Sequence, residues 1–147
     1  MKNKVLVVAV HPDDETLGCG GTLLKHKLNN DNINWLICTT LDEGHAQFEV
    51  REKEIIQVSE SYNFDMVKKL KLKTTSVDEY STSKIINKIS KVINDIQPNI
   101  IYIPFKHDVH SDHRKIFEAF YSCTKSFRYP FIKKLYMMET LSETEFA

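Results

Sequence analysis

The strongest constraint on the fold is an uninterrupted apolar run at residues 5–10, Val-Leu-Val-Val-Ala-Val, followed directly by His11-Pro12-Asp13-Asp14-Glu15. Because the run has no polar side, a strand built from it must be covered on both faces, as in the centre of a parallel sheet. Helices are therefore expected on both sides of that sheet. The polar cluster then follows the carboxyl end of a central strand.

The remainder of the chain alternates between strand and helix patterns. Further strands are predicted at residues 33–40, 66–72, 99–104 and 132–138. Helices are predicted from about Gly21 to Leu28 and over residues 48–62, 83–97 and 114–123. Five strands alternating with four helices predict an α/β, Rossmann-like three-layer fold with a mainly parallel sheet of about five strands. Since no composition shift marks a boundary, residues 1–147 are expected to form a single domain.

Charge and cysteine content exclude several classes of protein. The chain carries 20 Lys+Arg and 20 Asp+Glu, so it offers no general attraction to nucleic acid or to anionic membranes. The longest apolar run is far shorter than the ~18 residues of a membrane-spanning helix, and no signal-peptide cleavage site follows it. A cytoplasmic protein without a transmembrane segment is expected. Cys19, Cys38 and Cys123 are odd in number and widely separated, which favours buried thiols over disulfides or a thiolate metal site.

A second polar cluster, His107 to His113, follows the predicted strand at residues 99–104. Ligands of open α/β sheets bind beyond the carboxyl ends of the strands, near the point where the strand order reverses. Both clusters are therefore expected to project into one crevice, although about a hundred residues separate them in the sequence. Imidazole and carboxylate together suit zinc, and a catalytic zinc keeps about three protein ligands and one open position.

The spacing of the first cluster favours a metal site. His11 and Asp14 lie three positions apart on a turn that Pro12 shapes, so an imidazole nitrogen and a carboxylate oxygen can reach one metal. His113 can complete the set from across the crevice, and Asp13 then remains as a general base. Taken alone, an Asp-Asp pair after a strand is more often a helix N-cap. The joint placement of the two clusters favours the metal site.

Three histidines lack such a context and are expected at the surface: His26, His45 and His107. A different class of function is suggested by Gly18-Cys19-Gly20-Gly21, which could cradle phosphate at a helix N-terminus. The G-x-G-x-x-G fingerprint is not met, however, and no acidic residue clearly ends the second strand to contact a ribose. A nucleotide-binding domain therefore remains the less favoured alternative.

These residues resemble the signature of the LmbE-like/PIG-L family of metal-dependent N-deacetylases. The resemblance includes residues 11–15 with the glycines at 18, 20 and 21. His110-Ser111-Asp112-His113 is similar to the family's His-x-Asp-His motif, and Arg51-Glu52-Lys53-Glu54 to its Arg-x-x-Glu motif. The three motifs occur in the family's order and cover most of the chain.

The resemblance implies a role for each site residue. Three metal ligands are implied, for Zn²⁺ with Fe²⁺ as the alternative: His11, Asp14 and His113. Asp13 becomes the general base, and His110 stabilises the oxyanion or protonates the leaving amine, with Asp112 as its orienting partner. Arg51 becomes a candidate for substrate binding, although an arginine paired with a nearby acid on a helix surface is an equally good interpretation.

The resemblance also implies a reaction. It is the hydrolysis of a small-molecule N-acetyl amino sugar, of the N-acetylglucosamine type, to acetate and a free amine. Two features of this chain depart from the family and leave alternatives open. The loop Leu41-Asp42-Glu43-Gly44-His45 keeps one glycine. Family members also usually continue well past the segment that resembles the end of this chain. The chain is then a truncated form, or a partner subunit of a homo-oligomer covers its exposed edge, or it is a catalytically inactive or weakly active metal- or sugar-binding module.

Overall fold

A five-stranded parallel sheet forms the centre of the computed structural model, which describes residues 2–145. The strands are β1 (Lys4–Ala9), β2 (Asn32–Thr40), β3 (Met66–Lys73), β4 (Ile100–Pro104) and β5 (Lys134–Met138), in the spatial order β3-β2-β1-β4-β5. β1 is central, and its Val7 pairs with Trp35 of β2 on one side and Tyr102 of β4 on the other. The predicted Rossmann-like sheet is confirmed.

Helices cover both faces of the sheet, as the two-sided apolar pattern of β1 predicts. They are α1 (Asp14–Leu28), α2 (Phe48–Tyr62), α3 (Thr82–Ile96) and α4 (Ser111–Cys123), with a short 3₁₀ helix at Val77–Glu79. The odd-numbered residues of β1 pack with α1 and α2, and its even-numbered residues pack with α3 and α4. Of these helices, none has the length and apolar composition that a bilayer crossing requires within residues 2–145.

The first helix begins earlier than its sequence predicts. α1 starts at Asp14 rather than near Gly21, and it bends at Cys19, where φ is −150°. The glycines that suggested a loop instead allow close packing inside the helix. A Cβ at Gly18 would lie 2.9 Å from Met138 Sδ, and one at Gly20 would lie 2.6 Å from the Tyr62 hydroxyl. The Gly18–Gly21 segment therefore lies within a helix and does not form a phosphate loop, and Gly18 and Gly20 allow the close packing of that helix.

The strand order reverses between β1 and β4. β2 and β3 lie on one side of β1, whereas β4 and β5 lie on the other. The loop after β1 and the loop after β4 therefore leave the same edge of the sheet side by side. α4 also begins earlier than predicted, at Ser111 instead of Arg114, because His110 caps it by accepting the Asp112 amide N–H at 3.1 Å.

Candidate metal centre

The loops after β1 and β4 bring His11, Asp14 and His113 together. One ligand atom from each residue lies within 4.8 Å of the others. His11 follows β1, Asp14 is the first residue of α1, and His113 lies in the first turn of α4. His113 Nε2 is 3.2 Å from Asp14 Oδ2, and His11 Nδ1 is 3.9 Å from the same oxygen. Two imidazoles and a carboxylate therefore converge, as the sequence predicts.

His113 is the most deeply enclosed member of this group, with no exposed surface. Its Nδ1 lies 2.8 Å from Asp108 Oδ2, so the neutral ring carries its proton on Nδ1 and its lone pair on Nε2. Although Nε2 faces Asp14 Oδ2, it has no hydrogen-bond partner in the described part of the chain. Burial lowers the pKa of His113, but the contacts with Asp14 and Asp108 outweigh it and raise the pKa above its ordinary value.

An orphaned imidazole nitrogen beside a buried carboxylate is an arrangement that a divalent cation would satisfy. Asp14 is only 2% exposed, and its Oδ2 accepts the His11 amide N–H at 2.8 Å. Burying a carboxylate without a compensating cation is costly. Nitrogen and oxygen ligands of this kind suit zinc and ferrous iron. The residues present therefore fit a divalent metal.

Asp108 supports the group from behind, and its role has no counterpart in the sequence prediction. The carboxylate is fully buried, and its second oxygen accepts a hydrogen bond from the Thr144 hydroxyl at 2.7 Å. A carboxylate that holds the far nitrogen of a ligand histidine fixes its tautomer and orientation. The sequence places Asp108 in the same polar cluster as His113, and this proximity could have indicated a supporting role for Asp108. The turn that contributes Thr144 is also tied down where the Val109 amide donates to the Glu143 carbonyl at 2.7 Å.

His110 lies beside the two histidines of the group. Its ring centroid is 4.7 Å from that of His11 and 5.5 Å from that of His113. Because His110 Nδ1 accepts the Asp112 amide N–H, the neutral ring carries its proton on Nε2. His110 is thus placed with a proton donor available next to the candidate metal ligands.

The carboxylate of Asp112 contacts His11, and not His110 as expected from the resemblance. Its Oδ2 is 3.2 Å from His11 Nε2 and accepts the Thr75 amide N–H at 2.7 Å, and its Oδ1 accepts the Val77 amide N–H at 3.2 Å. Burial would raise the pKa of Asp112, but the hydrogen bonds from His11 and the two amides hold it below its ordinary value. The structure therefore places the Asp112 carboxylate against His11 and two amides of the segment after β3, whereas the resemblance implies His110 as its partner.

A second group of ligand atoms within 4.8 Å of one another is formed by His11, His110 and Asp112. The two ring nitrogens of His11 therefore face two different carboxylates, Asp14 through Nδ1 and Asp112 through Nε2. The first group is the more enclosed, because Asp14 and His113 are both buried, whereas His110 is half-buried.

Asp13 occupies the N-cap position of α1, but its side chain makes no capping hydrogen bond within residues 2–145. Its backbone has φ 144°, a conformation that costs an L-residue about 1–3 kcal/mol. Burial of the carboxylate and the charge of Asp14 raise the pKa of Asp13, while His11 and Arg51 act in the opposite direction. The carboxylate is thus available for chemistry and not for helix capping.

A cleft of about 170 Å³ opens beside this group. It is lined by His11, Pro12, Asp13, Thr39, Thr40, Leu41, Arg51 and Thr74. Arg51 reaches from α2 to the Pro12 carbonyl at 3.4 Å and lies 3.5 Å from Glu54 Oε2. Arg51 therefore pairs with an acid on its own helix surface and also borders the cleft, so the structure agrees with both interpretations, a surface ion pair and a substrate-binding residue.

The three histidines that were expected at the surface differ in their environments. His45 and His107 are exposed, as expected. His26 is not, because it lies between Asp31, 2.7 Å from its Nδ1, and the Tyr102 hydroxyl, 2.9 Å from its Nε2. That expectation was wrong for His26, since the partners come from the loop after α1 and from β4, which the local pattern does not reveal.

Comparison with known proteins shows the family of this chain. Residues 6–124 match the PIG-L family, described as GlcNAc-PI de-N-acetylase, and the chain belongs to this family. The probable N-acetyl-alpha-D-glucosaminyl L-malate deacetylase 2 of Bacillus subtilis (strain 168) is 26% identical over 132 residues. That match covers 81% of this chain and 59% of the relative, so the chain spans well under two thirds of the relative's length.

Two solved structures support the fold. The conserved protein TT1542 from Thermus thermophilus has a TM-score of 0.79 at 24% identity, over 99% of this chain and 69% of that chain. The N,N'-diacetylchitobiose deacetylase from Pyrococcus horikoshii has a TM-score of 0.74 at 23% identity, over 89% of this chain and 52% of that chain. The predicted fold class and the resemblance to the LmbE-like/PIG-L family are both confirmed.

Proposed function

We propose that this chain is a metal-dependent hydrolase that removes the acetyl group from an N-acetylated amino sugar conjugate of the N-acetylglucosamine type. Acetate and a free amine are the products. The observation that carries the proposal is the convergence of His11, Asp14 and the unpartnered Nε2 of His113 beside an open cleft. Membership of the PIG-L family and the names of the relatives support the same reaction.

His11, Asp14 and His113 would hold the metal, for which zinc is the first candidate and ferrous iron the alternative. When bound, such a metal supplies Lewis acidity toward the acetamide carbonyl and lowers the pKa of a water molecule. Asp13 takes the proton of the attacking water, because its carboxylate is free of capping and borders the cleft. The substrate is thus attacked at the carbonyl carbon while Asp13 holds the proton.

His110 acts on the other side of the acetamide. The Asp112 amide fixes its Nδ1 as an acceptor, so Nε2–H can stabilise negative charge as it develops on the carbonyl oxygen. Departure of the amine requires a proton on nitrogen, which His110 or the protonated Asp13 supplies. Arg51, at the rim of the cleft, binds the sugar portion.

The orienting role of Asp112 is proposed toward His11 instead of His110. Its carboxylate is held by two backbone amides and lies 3.2 Å from His11 Nε2, so it fixes the direction of that ring. The proposed partner is a small-molecule sugar conjugate. A homo-oligomer remains a prediction.

Acetate release from a panel of N-acetylglucosamine conjugates, measured together with metal content, tests the proposal. Asp13→Asn is expected to keep the metal and lose about 10²–10⁴-fold in turnover. His113→Ala is expected to lose the metal, and His107→Ala, which removes an exposed histidine, is the matched control that keeps both.

Equal metal loss in Asp13→Asn and His113→Ala would show that the roles are misassigned. Metal bound at one equivalent without acetate release from the whole panel would favour the alternative of a catalytically inactive binding module.

A further inference from the structure

The backbone of Asp13 has an unfavourable conformation, and its amide contacts a neighbouring side chain. With φ 144° and ψ −24°, Asp13 adopts a geometry that L-residues rarely take. Its carbonyl accepts the amide N–H groups of Thr16 at 2.9 Å and Leu17 at 3.0 Å. Its own amide N–H donates to Glu15 Oε2 at 3.1 Å. The side chain of Glu15 therefore binds the backbone N–H of Asp13, the residue that we propose as the general base.

Glu15 is itself fixed by a chain of hydrogen bonds that leads to α2. The residue is 1% exposed, and its Oε1 accepts the Thr16 hydroxyl at 2.9 Å. The Thr16 oxygen in turn accepts the Tyr62 hydroxyl at 3.1 Å. Tyr62 packs so closely over Gly20 that a Cβ there would lie 2.6 Å from its hydroxyl oxygen. The position of Glu15 is thus set by packing between α1 and α2.

The buried carboxylate of Glu15 lies outside both groups of candidate metal ligands. Among the side chains of residues 2–145, the groups that could bind a cation draw on other residues, and Glu15 belongs to neither. An acidic side chain with almost no exposed surface is unusual unless its oxygens are used. Both oxygens of Glu15 are used here, one of them by the strained peptide of Asp13.

We propose that Glu15 is a positioning residue that holds the carboxylate of Asp13 toward the attacking water, an inference that rests on the proposed function. Without the Oε2 acceptor, the Asp13 peptide relaxes toward the ordinary extended N-cap conformation. The Cα–Cβ bond then rotates, and the carboxylate leaves its place at the cleft. Misplacement of a reacting group by about 1 Å is enough to cost about 10²-fold in rate.

Two substitutions of Glu15 separate this role from a general contribution to stability. Glu15→Gln keeps an oxygen that can accept the Asp13 amide, so kcat is expected to stay within about threefold of the wild-type value. Glu15→Met keeps most of the volume and removes the acceptor. It is expected to lower kcat by about 10–100-fold, with KM and metal content unchanged. Asp31→Asn, which alters a buried carboxylate in the loop after α1, is the control.

The proposal is overturned if folded Glu15→Met retains full kcat, or if its loss of activity follows a parallel loss of metal. If Glu15→Met does not fold, Thr16→Val serves as the test variant, because it removes one hydrogen bond from Glu15. Thr16→Val is expected to lower kcat by about threefold to tenfold. A Thr16→Val variant with wild-type kcat then counts against the proposal.

A crystal structure of Glu15→Met distinguishes this inference from the proposed function. If the wild type releases no acetate, the proposed reaction fails, and the φ of Asp13 in the variant still gives an answer. Relaxation to a negative φ supports the positioning role of Glu15. An unchanged φ near 144° refutes it.

Discussion

The contact between Asp108 and His113 gives the sharpest quantitative prediction. Asp108 is fully buried and accepts two hydrogen bonds, from His113 Nδ1–H at 2.8 Å and from the Thr144 hydroxyl at 2.7 Å. In Asp108→Asn the single amide oxygen can still serve His113, because the Thr144 hydroxyl can rotate to accept from the new NH₂ group. The substitution therefore removes the charge of the acceptor but keeps its geometry.

The size of the effect follows from the kind of hydrogen bond that is lost. A hydrogen bond to a charged acceptor contributes about 1.5–3 kcal/mol, and one to a neutral acceptor about 0.5–1.5 kcal/mol. The midpoints of these ranges differ by about 1.25 kcal/mol, which corresponds to nearly tenfold in affinity. Asp108→Asn is thus expected to weaken zinc binding by about tenfold, and Asp108→Ala by about a hundredfold.

Competition between the metal-free protein and a chromophoric zinc chelator at constant neutral pH measures this affinity. The control is Asp31→Asn, since Asp31 Oδ2 lies 2.7 Å from His26 Nδ1 in a matching contact away from the candidate ligands. The control is expected to bind zinc as the wild type does. Wild-type affinity in folded Asp108→Ala would refute the reasoning, and so would an equal loss of affinity in Asp31→Asn.

Two further predictions concern stability. Burial raises the pKa of Asp31, but hydrogen bonds from His26 and a backbone amide outweigh it and lower the pKa below 3.8. The stabilisation that the Asp31 carboxylate contributes is therefore present above that pH and is lost as the pH falls through the folded-state pKa. Chemical denaturation should show Asp31→Asn less stable by about 1.5 kcal/mol at neutral pH, with a smaller difference toward pH ~3; a difference independent of pH would contradict the assignment. Gly21→Ala, where a Cβ meets open space, should raise the melting temperature by about 2–4 °C, whereas Gly20→Ala should not, because its Cβ would lie 2.6 Å from the Tyr62 hydroxyl. Equal melting temperatures for the two glycine variants would show that this contact has no effect.

The architecture could be predicted because it depends on regular patterns. The two-sided apolar run of residues 5–10 required a central strand, and the run at 100–103 required another of the same kind. Parallel strands share one carboxyl edge, so the two polar clusters had to meet if their strands were neighbours. The pairing of β1 with β4 fulfils that condition.

The contacts that differ from the prediction arise from parts of the chain without regular patterns. The partner of the Asp112 carboxylate is set by the Thr75 and Val77 amides, which belong to the segment after β3. Backbone donors of this kind carry no signature in residue type. The support of Asp108 by Thr144 likewise depends on a turn that folds back from beyond β5. Residue types and spacing therefore indicated the cluster, whereas the links between its members required coordinates.

Anomalous X-ray scattering at the zinc edge, from crystals of the zinc-loaded protein, tests most directly whether one metal joins the two loops. A single peak about 2.0–2.2 Å from His11, Asp14 and His113 is the predicted result. A peak bound by His110 and Asp112 instead would contradict this account. It would also be contradicted if zinc fully occupied other sites in the protein and gave no peak near His113.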